Sequence, residues 1–152
     1  MAKMKKINRG VFNIICTSFL FIALIIVIPI SAQSACNEDK SSFTDTIWRW
    51  QGTVYNNDTK SVSSDPDRFT LTLQPDGRVS IRADCNRGGG TYTLDQKKIS
   101  ITITHTTRAA CPPGSLEQTY IRDLNGVAGW FFKEGDLYLD IKFDIGTMRF
   151  VK

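Results

Sequence analysis

The sequence divides into one long apolar segment near its N-terminus and a series of short alternating segments over most of the remainder. Residues 11–30 are almost entirely apolar and follow a stretch that carries four basic residues. Pro29 lies at the end of this segment, and the small residues of 31–35 follow it, as they do in an export signal before its cleavage site. Residues 1–35 are therefore predicted to be a signal peptide or an N-terminal membrane segment.

This segment has three alternative fates. Cleavage near Ala32 or Ala35 would release a free protein, whereas an uncut segment would remain as an anchor, because about twenty apolar residues can span a bilayer. The third fate is lipidation at Cys36, although Gln33 stands where lipoprotein signals normally have an aliphatic residue. In every case the chain from about residue 36 lies outside the cytoplasm, so the expected location is extracytoplasmic: bacterial periplasm, secreted or membrane-anchored.

After a polar leader at 36–45, apolar and polar residues alternate with the period of two that is typical of strands. The predicted strands cover 46–51, 68–73, 79–85, 91–94, 99–103, 128–132, 137–141 and 148–151. One helix is predicted after Pro113, with Ser115 as N-cap, Gln118 completing a capping box, and Gly126 as the C-terminal stop. The predicted fold is mainly β, a small antiparallel curled sheet or partly open barrel with one covering α-helix, over residues 46–152.

Two local predictions concern the segment between residues 84 and 90. Continued alternation from Val79 places Cys85 on the inner face of the sheet and Asp84 on the outer face. The three glycines at 88–90 predict a sharp corner between strands, because glycine adopts backbone angles that are closed to other residues. They do not suggest a phosphate-binding loop, since no helix follows them.

Charge argues against nucleic acid as a partner. The chain has 19 basic and 15 acidic residues, but residues 1–35 hold four of the basic ones and none of the acidic ones. The remaining part is therefore neutral, and its charges are interspersed without a run of one sign. The basic isoelectric point belongs to the export segment, and we expect membrane contact only through that segment or a lipid on Cys36.

Cysteine usage fits an oxidising compartment. Cys16 lies in the export segment, which leaves Cys36, Cys85 and Cys111 in a domain of modest size. If Cys36 is lipidated or free, Cys85 and Cys111 remain as a pair that could form a disulfide. The alternative is two buried thiols that pack as small apolar groups.

Several of these segments together resemble a known family. They are Asp84-Cys85-Asn86-Arg87, the Gly-x-Tyr of 90–92, the Thr-Arg-Ala-Ala-Cys-Pro of 107–112, the helix that ends near Leu124, the Leu-Tyr-Leu of 137–139, and the Gly-Thr-Met-Arg-Phe of 146–150. In this order they are similar to the META domain of the HslJ type, over roughly residues 46–151. Asp84 stands where the family often has Gly, as in a subgroup with the Asp-Cys-Asn form. The resemblance implies a compact β domain with one helix, exported or lipid-anchored, linked broadly to envelope stress and without an established enzyme activity.

Candidate chemistry is sparse. His105 is the only histidine, so paired-histidine metal sites are absent from the sequence, and no metal or other cofactor is expected. A nucleophile activated by His105 is the one enzymatic alternative, and residues at strand ends are more often surface residues. If Cys85 and Cys111 are bonded, a polar corner forms from Asp84, Asn86, Arg87, Thr107 and Arg108, in which Asp84 could pair with Arg108. We interpret this corner first as structural and second as a site for a partner's carboxylate or a polar ligand.

Three functions follow from these residues, in order of preference. The first is a non-enzymatic envelope domain that is stress-related and binds protein partners. The second is a small barrel that carries a lipid or other apolar ligand, which requires an apolar cavity of several hundred cubic ångströms. The third is an enzyme that uses His105, which requires a nucleophile within hydrogen-bond reach of that ring.

Overall fold

The computed structural model describes residues 43–152, and this part of the chain folds into nine strands and one α-helix. The strands are β1 (Trp48–Tyr55), β2 (Lys60–Val62), β3 (Phe69–Leu73), β4 (Arg78–Ala83), β5 (Asn86–Asp95), β6 (Lys98–Thr106), β7 (Val127–Lys133), β8 (Asp136–Ile141) and β9 (Gly146–Val151). The helix α1 is Glu117–Asn125, and short 3-10 turns occupy Pro66–Arg68 and Lys142–Asp144.

The strands form a closed antiparallel barrel. Strands β1 and β3 to β9 pair in the order β1-β3-β4-β5-β6-β7-β8-β9, and β9 pairs back with β1 to close eight strands into a ring. The short strand β2 extends the sheet beside the second half of β1. Strands β6 and β7 are joined through a single register pair, Lys98 with Gly129, and through a backbone hydrogen bond from Trp130 N to Lys97 O at 3.1 Å. The predicted mainly β fold with one covering helix is confirmed.

The interior of the barrel is filled by side chains. Inward positions of the strands alternate with outward ones, as the sequence pattern predicted. The largest fully buried side chains are Phe43, Trp48, Trp50, Leu71, Leu73, Ile101, Tyr120, Leu124, Leu137, Leu139, Met148 and Phe150. The interior of the barrel is therefore a packed core made mostly of apolar and aromatic side chains.

Helix α1 packs against β6 and β4 and fills the core with one aromatic ring. Tyr120 lies fully buried, with its ring centroid 5.1 Å from that of Trp50 and 5.5 Å from that of Phe69. The predicted N-cap was wrong by one residue: Leu116 holds the cap position, and Ser115 Oγ accepts a hydrogen bond from Glu117 N at 3.2 Å. The serine satisfies the first helical amide from outside the helix, as short hydroxyl side chains do in turns.

The glycine run does not form a corner, so that prediction was wrong. Gly88, Gly89 and Gly90 lie inside β5, where a bulge separates Gly89 from Gly90, and none of them has positive φ. A Cβ on Gly90 would lie 1.8 Å from the backbone oxygen of Thr102, and one on Gly88 would lie 2.5 Å from that of His105. The glycines are needed for the close approach of β5 and β6 rather than for a turn.

The corner lies instead at Asp84 and Cys85, which form the turn between β4 and β5. Asp84 has φ 60° and is buried, whereas Cys85 is exposed. The predicted orientation of these two residues was therefore reversed. Strand parity ends with the strand at Ala83, and a left-handed residue immediately after it turns the following side chains to other faces.

The packed domain begins before the predicted boundary at residue 46. Phe43 is fully buried, and its backbone oxygen accepts a hydrogen bond from Trp48 Nε1 at 3.1 Å. The predicted signal or membrane segment, the lipidation candidate Cys36 and most of the leader lie outside the described residues. Within residues 43–152, no helix is both long and apolar enough to cross a bilayer.

Candidate functional site

A disulfide holds the predicted polar corner together. Cys85, in the turn between β4 and β5, is bonded to Cys111, which lies in the segment that leads into α1. Their Cα atoms are 5.5 Å apart, and 26 residues separate them in sequence. The bond links the end of the sheet to the start of the helix across a long irregular segment, residues 107–116.

Asn86 is the centre of the hydrogen bonds at this corner. Its Oδ1 accepts from Thr107 Oγ1 at 2.7 Å and from Ala109 N at 2.8 Å, and its Nδ2 donates to Ala109 O and Glu117 Oε1, both at 3.0 Å. The side chain is almost completely buried. Ala109 lies outside the strands, and the Asn86 side chain satisfies both its backbone N–H and its backbone oxygen. This role of Asn86 is structural.

The other residues of the predicted corner separate into different surroundings. Asp84 forms an ion pair with Arg68, so the suggested pairing of Asp84 with Arg108 was wrong. It faces a cavity of about 350 Å³ that Pro112 and Pro113 also line. Arg87 and Arg108 have exposed side chains, and Arg87 contributes only backbone bonds to Thr107. The structure therefore brings together Asn86, Thr107 and the disulfide, and directs the three charged residues elsewhere.

Glu117 belongs to the corner, and the sequence prediction missed it. Its Oε2 lies 3.2 Å from Cys111 Sγ, while its Oε1 accepts the bond from Asn86. Cys85, Cys111 and Glu117 also place potential metal-ligand atoms within 4.8 Å of one another. In the disulfide, however, the sulfurs lack the thiolate charge that binds metals. An acidic residue in the first turn of a helix was the available sequence signal, but it does not indicate contact with a disulfide.

A second polar cluster, also missed from the sequence, joins β1 to the helix. Tyr55 donates its hydroxyl hydrogen to Asp123 Oδ2 at 2.6 Å, and Arg122 Nη2 donates to Asp123 Oδ1 at 2.8 Å and to the Tyr55 hydroxyl oxygen at 3.1 Å. Asp123 is only 3% exposed. Burial, followed by the hydrogen bond to Asp123, raises the pKa of Tyr55 above its usual value.

His105 lies at the end of β6 with an exposed side chain. Its Nδ1 is 3.1 Å from Oγ1 of the adjacent Thr104, and that hydroxyl also donates to Gly89 O at 3.3 Å. Among residues 43–152, no carboxylate orients the other ring nitrogen. This geometry supplies a neighbouring hydroxyl but no third group to complete a catalytic relay.

The fold and the corner together define a class of protein: a small antiparallel barrel, covered by one helix, in which a disulfide joins a strand turn to the start of that helix. Residues 41–151 match the model of the META domain. The chain therefore belongs to the META domain family, and the resemblance drawn from its sequence motifs is confirmed.

Two solved structures of similar fold are those of bacterial proteins. The NMR structure of a protein from Burkholderia xenovorans has 26% sequence identity and a TM-score of 0.61, and the match covers 75% of this chain and 86% of that one. The crystal structure of a DUF4847 family protein from Bacteroides vulgatus has 16% identity and a TM-score of 0.55, with coverage of 74% and 96%. No protein with a curated description matches the sequence significantly.

Proposed function

We propose that this chain is an exported, non-enzymatic META domain protein of the cell envelope, related to stress, that acts by binding protein partners. The observation that carries the proposal is the filled barrel. Trp48, Trp50 and Phe150 are fully buried and occupy the space that a carrier of an apolar ligand would need for its cargo. With the interior occupied by side chains, the surface becomes the part of the domain that meets other molecules.

Two further features support the proposal. The Cys85–Cys111 disulfide is consistent with an oxidising compartment outside the cytoplasm. Phe143, in the turn between β8 and β9, is 92% exposed and has φ 60°, and the neighbouring Ile145 is 50% exposed. A bulky residue in the left-handed region that also faces solvent costs conformational energy without a packing gain, which is typical of contact sites.

The filled interior gives no support to the alternative, a barrel that carries a lipid. The cavity beside Asp84 and Arg68 is open to the surface and is bordered by polar residues. Organic extraction of the purified protein separates the two functions. A stoichiometric lipid in the extract would favour the carrier and overturn the present proposal.

The first test of the proposal is the intact mass of the natively exported protein, with and without thiol alkylation, from separated membrane and soluble fractions. A soluble species that starts near Gln33 or Cys36, with one free and two protected thiols, is the result expected for cleavage. Added acyl mass at Cys36 would indicate a lipoprotein instead. Alkylation of every cysteine without prior reduction would contradict the disulfide, and an uncleaved species confined to the cytoplasm would contradict export.

Partner binding is tested by photo-crosslinking in cells. A benzophenone amino acid at position 143 is expected to give a discrete crosslinked protein, whereas the same group at exposed Gln118 on α1 serves as the matched control. The crosslinked partner must also bind the purified protein, and it must bind the Phe143→Ser variant more weakly. Equal crosslinking at both positions, or equal binding of the variant, would overturn the proposed interaction surface.

A further inference from the structure

A surface pocket of about 520 Å³ lies between the β1–β2 hairpin, α1 and the connection from β8 to β9. We propose that this hairpin pocket binds a neutral, hydroxyl-rich ligand of the sugar class. Its volume lies in the range of small-molecule sites, and both polar and apolar side chains line it. The inference goes beyond partner binding and does not depend on the proposed function.

Hydrogen bonds order the polar residues of the hairpin pocket, in which the Asp123 side chain is buried and that of Arg122 is exposed. Asp123 is buried and receives bonds from Tyr55 and Arg122, and Arg122 in turn donates to the Tyr55 hydroxyl. These three side chains come from β1 and α1, so the cluster joins two elements that are far apart in sequence. A charged pair that is held in one geometry loses little conformational freedom when a ligand binds.

Unused hydrogen-bond donors remain around this cluster. Within residues 43–152, the bonds of Arg122 use only Nε and Nη2, which leaves both hydrogens of Nη1 available. Asn57 uses its Oδ1 to accept from Thr59, so its Nδ2 is also available. Thr119 lines the same pocket, and its hydroxyl makes no hydrogen bond to the described residues. These donors fit a ligand that is rich in oxygen acceptors.

The charge of the cluster favours a neutral ligand over an anion. The positive charge of Arg122 is offset at 2.8 Å by the carboxylate of Asp123. An incoming phosphate or carboxylate would therefore meet the repulsion of Asp123 as well as the attraction of Arg122. Hydroxyl groups can accept from Arg122 and Asn57 without that penalty, and they can donate to the hydroxyl oxygens of Thr119 and Ser61.

The hairpin pocket also has apolar lining residues. Ile145, which is half exposed, and Ile141 line it together with Tyr55. Asn56 N donates to Ile145 O at 3.0 Å, which ties the β1–β2 hairpin to the connection that carries Ile145. A pyranose has C–H faces and a rim of hydroxyl groups, so it matches a pocket that offers both apolar and polar side chains. This combination is what points to a sugar.

The test is saturation-transfer difference NMR with the full-length protein in a sugar-free zwitterionic detergent. Cellobiose, maltose and N,N′-diacetylchitobiose serve as probes at about 10 mM, because a site with a Kd of about 1 mM is mostly occupied at that concentration. We expect saturation of the C–H protons of at least one probe. An absence of transfer to all three sugars would overturn the proposal.

Matched variants locate the binding. Thr119→Val keeps the shape of the side chain and removes its hydroxyl, and it should weaken binding about fivefold, as expected for one hydrogen bond. Thr72→Val, on β3 and outside the pocket, is the control and should leave binding unchanged. Circular dichroism confirms that both variants are folded.

Two results would contradict the assignment even if a sugar binds. Equal weakening by Thr119→Val and Thr72→Val, or none by either, would place the sugar elsewhere. Displacement of the sugar by millimolar inorganic phosphate, with phosphate binding lost in Thr119→Val, would identify an anion site instead. Because none of these readings involves a protein partner, the sugar site and the proposed function can fail separately.

Discussion

Replacement of Tyr120 by Phe should raise the stability of the protein. The ring of Tyr120 is fully buried, and its hydroxyl group finds no hydrogen-bond partner among residues 43–152. A buried polar group left without a partner costs about 1–3 kcal/mol. The phenylalanine ring would keep the aromatic contacts with Trp50 and Phe69, and the space left by one oxygen atom offsets part of the gain. We expect a net increase of about 1 kcal/mol in the free energy of unfolding, or about 4 °C in Tm.

The matched control is Tyr92→Phe. The hydroxyl group of Tyr92 donates to Gln74 O at 2.8 Å, so its removal should lower stability by about 1 kcal/mol. Both variants are measured by urea unfolding of the oxidised protein, followed by tryptophan fluorescence. If Tyr120→Phe lowers stability by as much as Tyr92→Phe does, the Tyr120 hydroxyl is hydrogen-bonded and the reasoning is refuted.

The same side chain makes stability depend on alkaline pH. Burial raises the pKa of Tyr120 well above its usual value, and burial followed by the bond to Asp123 raises that of Tyr55. In the unfolded chain these phenols ionise near pH 10, whereas in the folded state they keep their protons. Stability is therefore complete below about pH 10 and declines as the pH rises towards the folded pKa values. Tyr120→Phe should reduce this decline, and an unchanged slope in unfolding experiments would contradict the assignment.

Three further predictions test the strand contact and the corner. Gly90→Ala should cost at least about 3 kcal/mol because the added Cβ would meet a backbone oxygen, whereas Gly129→Ala, with 3.6 Å to its nearest neighbour, should cost less than about 1 kcal/mol in urea unfolding. Glu117→Gln should speed reduction of the disulfide by dithiothreitol about fivefold, since the carboxylate disfavours a leaving thiolate on Cys111, and an unchanged rate would exclude this effect. Asn86→Ala should cost about 2 kcal/mol or more and increase proteolysis of segment 107–116, and wild-type resistance to protease would count against its role.

Much of the barrel could be read from the chain because its strands are half-buried and antiparallel. Phe69, Leu71 and Leu73 share one face of β3, and Val79 and Ile81 continue that face in β4. Such alternation is a local property, so it can be recognised in a single segment without knowing which strands lie beside it. The pairing of β9 with β1 joins strands that are far apart in the sequence, so the alternation pattern could not predict that the barrel closes.

Local rules failed in two ways: a contact with a distant strand overrode one prediction, and an element boundary differed from the predicted residue in two others. The glycines of β5 have the composition of a corner, yet they serve the approach of β6. The parity rule failed at Asp84 because the strand ended two residues earlier than the pattern suggested. The predicted capping box was wrong because the N-cap is Leu116 and Ser115 lies one residue before it. From there its hydroxyl oxygen accepts a hydrogen bond from Glu117 N.

The sequence indicated one part of the candidate sites and missed the others. Cysteine counting indicated Cys85 and Cys111 as a potential pair, and the motif around them was sufficient to place the chain in the META domain family. Neither the cysteine count nor the motif indicated that Glu117 lies at the disulfide. They also gave no sign of the cluster of Tyr55, Arg122 and Asp123. A residue pair 68 positions apart leaves no periodic trace in a sequence.

The sequence by itself thus determined the apolar N-terminal segment, the β-rich class, the single helix and the family, because each depends on residues that are neighbours in the chain. Only the tertiary structure decided that the sheet closes into a filled barrel, that Asn86 rather than a charged residue organises the corner, and that a pocket forms beside Arg122. The physical reason is that side-chain packing and hydrogen bonding act over a few ångströms in space, whatever the separation in sequence.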